Sequence, residues 1–221
     1  MRHALMLLVG VSLAVACTGC VTAPPRKDYA QFRRSDPKTI LVVPAVNRSV
    51  EVNAPDYFLS TIVRPLAERG YYVFPVNVVK RVLEDDGLAD ANLVHNADPT
   101  RLGELFGADA ILYVSIERWD AKYLLLTTQV TVEFTYAIKS GQTGEELWRT
   151  TERMVYQPQA SSAGNPIAML IVLAVEAAVT KAAPNYIPLT QQANWTAVTR
   201  PYQGLPAGPH NKAYRKDAEQ F

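Results

Sequence analysis

The chain contains two thiol groups, those of Cys17 and Cys20, and both lie at the end of an apolar leader. Arg2 and His3 give the leader a basic start, and residues 4–16 then form an almost wholly apolar run of 13 residues. A helix needs about 20 apolar residues to cross a bilayer, so this run does not predict a lasting transmembrane anchor. A basic start, a short apolar middle and a small-residue end are typical of a secretory signal.

The sequence around Cys20 resembles the bacterial lipobox, in which an aliphatic or small residue and two small residues precede a cysteine. In that motif the thiol forms a thioether with diacylglycerol, the leader is cut before the cysteine, and the new amino group is acylated. Thr18 and Gly19 are small enough for the peptidase cleft, although Cys17 is an uncommon residue in the aliphatic position. We therefore predict lipid attachment at Cys20. Cys17 is the alternative site. It is less favoured, because Val15 fits its position in the motif less well than Thr18 fits the equivalent position before Cys20.

Lipid attachment at Cys20 would place the protein at a membrane surface. Several acyl chains give stable attachment, whereas a single chain gives only marginal binding. Val21 stands where an aspartate often signals retention in the inner membrane of enterobacteria. Because Val21 is not an aspartate, resemblance to that rule predicts that the protein is anchored in the outer membrane. The domain is expected in the periplasm, and display on the cell surface is the alternative. A disulfide pair is the less favoured interpretation, because both cysteines lie inside the leader and the chain has no other.

The charge balance of the chain argues against nucleic acid as a partner. Lysine and arginine total 22 and aspartate and glutamate 21, so loss of Arg2 with the leader leaves 21 residues of each sign. Such a chain has no basic surplus with which to neutralise phosphates. If Cys20 is lipidated, no free thiol remains for a disulfide, a cysteine-based zinc site or a nucleophile. No cofactor is expected.

Composition divides the chain into four parts. Prolines and charges before residue 39 indicate a tether, within which Tyr29 and Phe32 are candidates to contact the domain. The stretch that follows is long enough for one hydrophobic core. The predicted parts are a signal peptide at 1–19, a lipidated tether at 20–38, a single α/β domain at 39–200 and an irregular tail at 201–221.

Hydrophobic patterns inside the domain predict one mixed sheet with helices packed on it. The continuous apolar run from Ile40 to Val43 is typical of a strand covered on both faces. Residues 130–138 alternate between apolar and polar types, as in a half-buried antiparallel strand, and a hairpin turn follows at 140–144. Strands joined through helices are expected to run parallel, so the fold class is α/β (α+β) with a single mixed sheet. The predicted order begins with a strand at 39–46, a helix capped by Asn53 and ending at Gly70, a strand at 71–74 and a helix through Val78 and Leu83. A loop at 88–96 and a short helix opened by Asp98 and Pro99 follow. The last elements are a strand from Ala110 that can reach Tyr123, the hairpin with its returning strand at 146–156, and a helix from Pro188 to about Thr199.

The most apolar stretch after the leader is a predicted helix, in which residues 167–175 are apolar on all sides. A helix of this kind needs cover on all sides, so it is interpreted as a core helix, a subunit interface or a membrane-inserted segment. The run is too short to span a bilayer. In the interface interpretation the contact residues are Met169, Leu170, Val172 and Leu173.

Polar residues that often carry chemistry do not form a recognised site in this sequence. His95 lies between Asp90 and Asp98, and a weak metal site there is the less favoured alternative to a solvated loop histidine. Residues 84–86, together with Asp90, lack the spacing of a calcium loop and are interpreted as a solvated helix end. No Gly-x-Ser-x-Gly motif is present. The sequence therefore predicts neither an enzyme nor a metal site.

Several strand and turn signatures resemble a family of Gram-negative lipoproteins that is catalogued only as a domain of unknown function. They are residues 39–44, 70–75 and 106–110, and Ser140-Gly141 with Leu147-Trp148. The resemblance covers the chain from the leader to the tail. It implies a fold similar to the amino-terminal domain of the TolB translocation protein and to the periplasmic domain of the curli-secretion lipoprotein. None of these motifs is catalytic.

The anchor and the resemblance together lead to a functional expectation. The preferred hypothesis is a non-enzymatic outer-membrane lipoprotein that binds an envelope protein, or a second copy of itself, and acts in assembly. The alternative is a subunit of a curli-type secretion pore, for which only residues 124–156 offer strands long enough to line a barrel. An envelope hydrolase is the least favoured hypothesis, because no nucleophile–base pair is recognisable.

Overall fold

The computed structural model describes residues 26–124, 127–156 and 186–221, and within them six strands form one open mixed sheet. The strand order is β3-β1-β4-β5-β6, and β2 also pairs with β4. The elements are α1 (Ala30–Ser35), β1 (Thr39–Val42), β2 (Val46–Asn47), α2 (Ala54–Glu68), β3 (Tyr72–Val73), α3 (Val76–Asp85), α4 (Ala91–Asn96), α5 (Pro99–Phe106), β4 (Ala110–Leu124), β5 (Thr127–Ser140), β6 (Glu146–Tyr156) and α6 (Ile187–Thr199).

The strand directions follow the connections, as predicted. Strand β1 runs parallel to β3 and β4, with Ile40 opposite Ala110, and the links between these strands contain helices. Strands β4, β5 and β6 run antiparallel, and β6 has the predicted bounds. Pro44 lies between β1 and β2 and has no N–H to donate to a sheet. The predicted strand at 39–46 is therefore divided into two short strands.

Each face of the sheet is covered by its own set of helices. Helices α2 and α6 pack on the inner face, where Phe58 of α2 contacts Phe134 and Tyr136 of β5. The apolar residues predicted for one face of β5 are all buried there. Helices α3, α4 and α5 cover part of the outer face, above Leu41 and Ile111. The prediction of one mixed sheet with helices packed on it is thus confirmed.

A polar network is buried between the inner face and its helices. The Tyr136 hydroxyl donates to Asn194 Oδ1 at 2.7 Å, and Asn194 Nδ2 donates to Thr61 Oγ1 at 2.8 Å. The Thr61 hydroxyl in turn donates to the Phe58 carbonyl at 2.8 Å. Burial raises the pKa of Tyr136 well above its ordinary value, so the hydroxyl stays protonated and remains a donor. Three elements are thereby joined in one relative position.

Replacing Asn194 by alanine is expected to lower the free energy of unfolding by about 3 kcal/mol. The change leaves the buried Tyr136 hydroxyl without a partner, at about 1–3 kcal/mol, and it also removes one of the two hydrogen bonds of Thr61 and a packed side chain. Urea denaturation measures the loss. Gln191→Ala is the matched control, because Gln191 is an exposed amide on the same helix and its removal should change stability by less than about 0.5 kcal/mol. Equal losses in the two variants would contradict a structural role for the network.

Two segments differ from the sequence prediction. Residues 88–96 were predicted to be a loop, but Ala91–Asn96 is a helix, because Asp90 caps it through the Asn92 N–H at 2.7 Å and Val94 is buried. The prediction of a loop there is wrong; six residues are too few to show an apolar period in the sequence. Asn53 precedes α2 as predicted, but its side chain makes no capping hydrogen bond.

The ends of the described chain also pack against the domain. Residues 30–35, which the sequence assigned to the tether, form α1, and the expected contacts of Tyr29 and Phe32 are confirmed by their burial. The predicted irregular tail contains turns, but Leu205 and Phe221 within it are buried. Across residues 26–124, 127–156 and 186–221, every helix is too short or too polar to cross a membrane.

Candidate functional site

The site residues predicted from the sequence lie outside the residues that the structure describes. This holds for lipid attachment at Cys20, with Cys17 as the alternative, and it holds for the interface residues. Both therefore stay predictions. The interface residues are Met169, Leu170, Val172 and Leu173.

The first described residues bind to the C-terminal segment, which we define as residues 202–221. The Lys27 N–H donates to the Tyr202 carbonyl at 3.1 Å, and the buried Tyr29 hydroxyl donates to the Gly204 carbonyl at 2.8 Å. The ring of Tyr29 also meets Phe221 edge-on, with 6.0 Å between ring centroids. The point at which the chain enters the domain is thus fixed by contacts with residues at least 175 positions later in the sequence.

Arg69, just after α2, holds the C-terminal segment in place. Its Nε donates to the Leu205 carbonyl at 2.6 Å, and its Nη2 donates to Asp217 Oδ2 at 2.8 Å. The guanidinium also lies over the ring of Phe221, 4.2 Å from the centroid. The two charged side chains are only 15% and 10% exposed, so this is a buried ion pair. One arginine therefore orders three parts of the segment.

A cleft of about 310 Å³ lies between α1 and the C-terminal segment. Asp36 joins the two sides of the cleft, because the Tyr214 hydroxyl donates to its carboxylate at 2.7 Å and Arg215 donates to the same carboxylate at 2.5 Å. The Tyr71 hydroxyl donates to the Pro206 carbonyl at 2.7 Å. These polar groups are used to join the two segments, so we interpret the cleft as part of a structural junction.

A more exposed feature is the loop between β2 and α2, residues 48–53, which we call the valine loop. Val50 is 96% exposed and Val52 is 84% exposed. Asn47 stiffens the loop, because its Nδ2 donates to the Glu51 carbonyl at 2.7 Å and its Oδ1 accepts from Ser49 Oγ at 2.7 Å. Two apolar side chains are therefore held in water by an ordered backbone.

The valine loop was not singled out from the sequence, although a signal was available. Two valines occur in a stretch that otherwise contains turn-forming and charged residues, Asn-Arg-Ser-Val-Glu-Val-Asn. Single apolar residues are common on protein surfaces, whereas clustered ones mark interaction sites, so the pair of valines makes this loop a candidate contact surface.

His95 occupies a different environment from the predicted one. It lies on α4 and is half-buried, its Nε2 is 3.1 Å from the Pro44 carbonyl, and its ring meets Tyr113 edge-on at 5.2 Å. Burial lowers the pKa of the imidazole, against the opposing effect of the bond to Pro44. A neutral ring that donates through Nε2 leaves Nδ1 as an acceptor. The interpretation as a solvated loop histidine is therefore wrong.

The carboxylates near His95 are used in the local structure. Asp90 and Asp98 cap α4 and α5 through backbone N–H groups at 2.7 and 2.9 Å. Residues 84–86 are exposed, and Asp85 pairs with Arg81 at 3.3 Å, which confirms the solvated helix end. In the part of the chain with described side chains, no three His, Cys, Asp or Glu residues lie close enough together to hold a metal ion.

Comparison with known proteins agrees with the resemblance noted in the sequence. The family described as "Putative lipoprotein GNA1162-like" matches residues 27–210. The "Putative lipoprotein NMB1124/NMB1162" of Neisseria meningitidis serogroup B is 36% identical over 143 residues, which is 64% of this chain and 66% of that protein. The crystal structure of lipoprotein GNA1162 from Neisseria meningitidis has a TM-score of 0.55 at 32% identity and covers 66% of this chain and 100% of that one. The chain belongs to the GNA1162-like lipoprotein family, and is accordingly a membrane-anchored protein of the cell envelope.

Proposed function

We propose that this protein is a non-enzymatic protein-binding module of the outer membrane, and that the valine loop is the surface through which it binds an envelope protein. The observation that carries the proposal is the near-complete exposure of Val50 and Val52 on an ordered loop. Covering a valine side chain contributes about 1.5–3 kcal/mol. A loop that is already ordered loses little conformational entropy on binding, so most of this free energy is available for affinity.

The surroundings of the valine loop favour a protein partner. Arg48, at one end of the loop, pairs with Glu117 at 3.4 Å, so a polar rim adjoins the two apolar side chains. An apolar centre with a polar rim is the usual anatomy of a protein–protein interface. Tyr57 lies on the next helix, is partly exposed and stacks on Trp119 at 6.0 Å. The partner is therefore expected to offer an apolar pocket with polar groups at its edge.

A membrane is the less suitable partner for the valine loop. Glu51 stands between the two valines, and insertion of both would bring its carboxylate to an anionic lipid surface. Membrane-surface segments instead combine aromatic or leucine side chains with lysine and arginine. The anchor at Cys20 would supply membrane attachment separately, and Val21 after it supports the outer membrane by the rule stated above.

A photoreactive residue in place of Val50 is expected to give one defined protein adduct when the full-length lipoprotein is illuminated in cells. Val52→Asp in the same chain should reduce the adduct at least 10-fold, because a buried valine side chain is worth about 1.5–3 kcal/mol and an aspartate would be desolvated in its place. Immunoblotting with mass spectrometry measures the adduct, and a melting curve checks that the variant is folded.

The matched control carries the photoreactive residue at Arg81, which is 75% exposed on α3. It should give no adduct, or a different set of adducts. A lipid adduct at position 50, or the same proteins from both positions, would contradict the proposal.

A further inference from the structure

The outer face of the sheet contains a small cleft of about 140 Å³ that the proposed function does not use. Its floor is Ala137 of β5, which lies opposite Tyr113 on β4 and opposite Arg149 on β6. An alanine between two large side chains leaves room above its methyl group. His95 of α4 borders the cleft beside Tyr113, where the two rings meet edge-on.

The cleft contains a cation that lacks a partner of opposite charge. Lys139 lies two positions from Ala137 on the same face of β5, and its ammonium sits 5.2 Å from the centroid of the Tyr113 ring. The side chain therefore leans towards the row of Ala137 and into the cleft. Lys139 makes no ion pair with any residue whose position is described. Arg149, on the other side, is neutralised by Glu146, whose carboxylate accepts from its Nε at 3.0 Å.

Two hydroxyl groups border the same cleft as this cation. They belong to Ser115 and Thr135, which are cross-strand partners, and the Thr135 hydroxyl also shares a hydrogen bond with the Thr151 hydroxyl at 3.2 Å. Tyr113 also borders the cleft, and its side chain is 6% exposed, yet its hydroxyl has no hydrogen-bond partner among the residues that the structure describes. That hydroxyl oxygen is itself enclosed, so it is not counted among the groups that face the cleft. The side chains bordering the cleft include no carboxylate.

We propose that this cleft binds a phosphoryl group. Lys139 supplies the charge, Ser115 and Thr135 supply hydroxyl donors, and the methyl of Ala137 leaves the space. A phosphoryl group has three or more acceptor oxygens and suits several donors arranged around one point, whereas a carboxylate has two. The bound species is either free phosphate or the phosphate monoester of a lipid such as phosphatidic acid, because a phosphodiester has only two free oxygens.

Isothermal titration of the full lipidated protein in uncharged detergent with inorganic phosphate tests the site. The wild type is expected to bind one phosphate, and Lys139→Gln should weaken binding at least 10-fold. Lys212→Gln is the matched control, because Lys212 is exposed on the C-terminal segment and carries the same charge. Equal weakening in both variants would show general charge screening and overturn the proposal, as would the absence of phosphate binding at millimolar concentration.

A second variant tests whether phosphate binding needs the space in the cleft, without changing the charge of the cleft. Ala137→Val fills the space above the floor, keeps every charge, and suits a strand because valine has a high β propensity. It should abolish phosphate binding while the melting temperature stays close to that of the wild type. Unchanged binding in a folded Ala137→Val protein would place the phosphate elsewhere and overturn the assignment.

The source of the phosphoryl group is identified by a parallel titration with dihexanoyl phosphatidic acid below its micelle concentration. Tighter binding of this monomeric lipid than of inorganic phosphate, lost in Lys139→Gln, would assign a lipid headgroup. Equal or weaker binding would assign free phosphate. Binding of the lipid that Lys139→Gln and Ala137→Val both leave unchanged would show an acyl-chain contact elsewhere and would count against the cleft.

Discussion

Replacing Cys20 by alanine is expected to prevent acylation and to remove the protein from the membrane fraction. The Cys20 thiol is the group predicted to form the thioether, and alanine has no nucleophile that could replace it. Several acyl chains hold a protein at a bilayer stably, whereas the leader alone is too short to span one. Intact-mass spectrometry of the membrane fraction measures the acyl mass, and cell fractionation measures the change in location.

Cys17→Ala is the matched control for the lipid site, because it removes the alternative thiol and places a common small residue before Thr18. Acylation and fractionation should be the same as in the wild type. If Cys17→Ala loses the acyl mass and Cys20→Ala keeps it, the alternative site is correct. An unmodified mature chain that begins elsewhere would contradict lipid attachment at either residue.

Replacing Asp217 by alanine is expected to lower the free energy of unfolding by about 3–5 kcal/mol, the usual effect of leaving one partner of a buried ion pair alone. Burial already lowers the pKa of the Arg69 guanidinium, and the Asp217 carboxylate opposes that shift. The Ala207 N–H, which donates to Asp217 Oδ2 at 2.7 Å, would also lose its acceptor. Chemical denaturation measures the loss, and limited proteolysis should cut first within the C-terminal segment.

Glu219→Ala is the control for the ion pair, because it removes an exposed carboxylate from the same segment and should change stability by less than about 0.5 kcal/mol. The double variant Arg69→Met, Asp217→Leu should recover most of the loss, since apolar residues of similar volume often replace a buried pair without penalty. If Asp217→Ala is as stable as Glu219→Ala, the ion pair does not hold the segment.

Local sequence patterns were sufficient to locate the elements whose apolar pattern repeats over many residues or whose ends carry capping residues. The alternation from Val130 to Ile138 placed β5 and its buried face correctly, because each side chain of a half-buried strand reports its own environment. Capping chemistry located α5, where Asp98 and Pro99 act as predicted. In contrast, α4 has only six residues and one fully buried apolar residue, Val94, so its sequence pattern could not be distinguished from that of a loop.

The candidate sites depended on contacts that no local pattern contains. Arg149 lies opposite Ala137 only because the pairing of β5 with β6 shifts by one residue between Ile138 and Lys139. A regular hairpin from the same turn would place a different residue beside the cleft, and the sequence carries no sign of the shift. The junction at Arg69 joins residues 148 positions apart, which periodicity and spacing do not report.

The fixed entry of the chain at Lys27 limits how far the domain can be from its membrane. If Cys20 carries the lipid, the seven residues 21–27 reach from the acyl chains to the first backbone hydrogen bond with the C-terminal segment, at Lys27. Fully extended, they span at most about 25 Å, less than the diameter of the domain, roughly 40 Å for a compact chain of this length. The domain would then stay at the bilayer surface, and any partner would have to be found there.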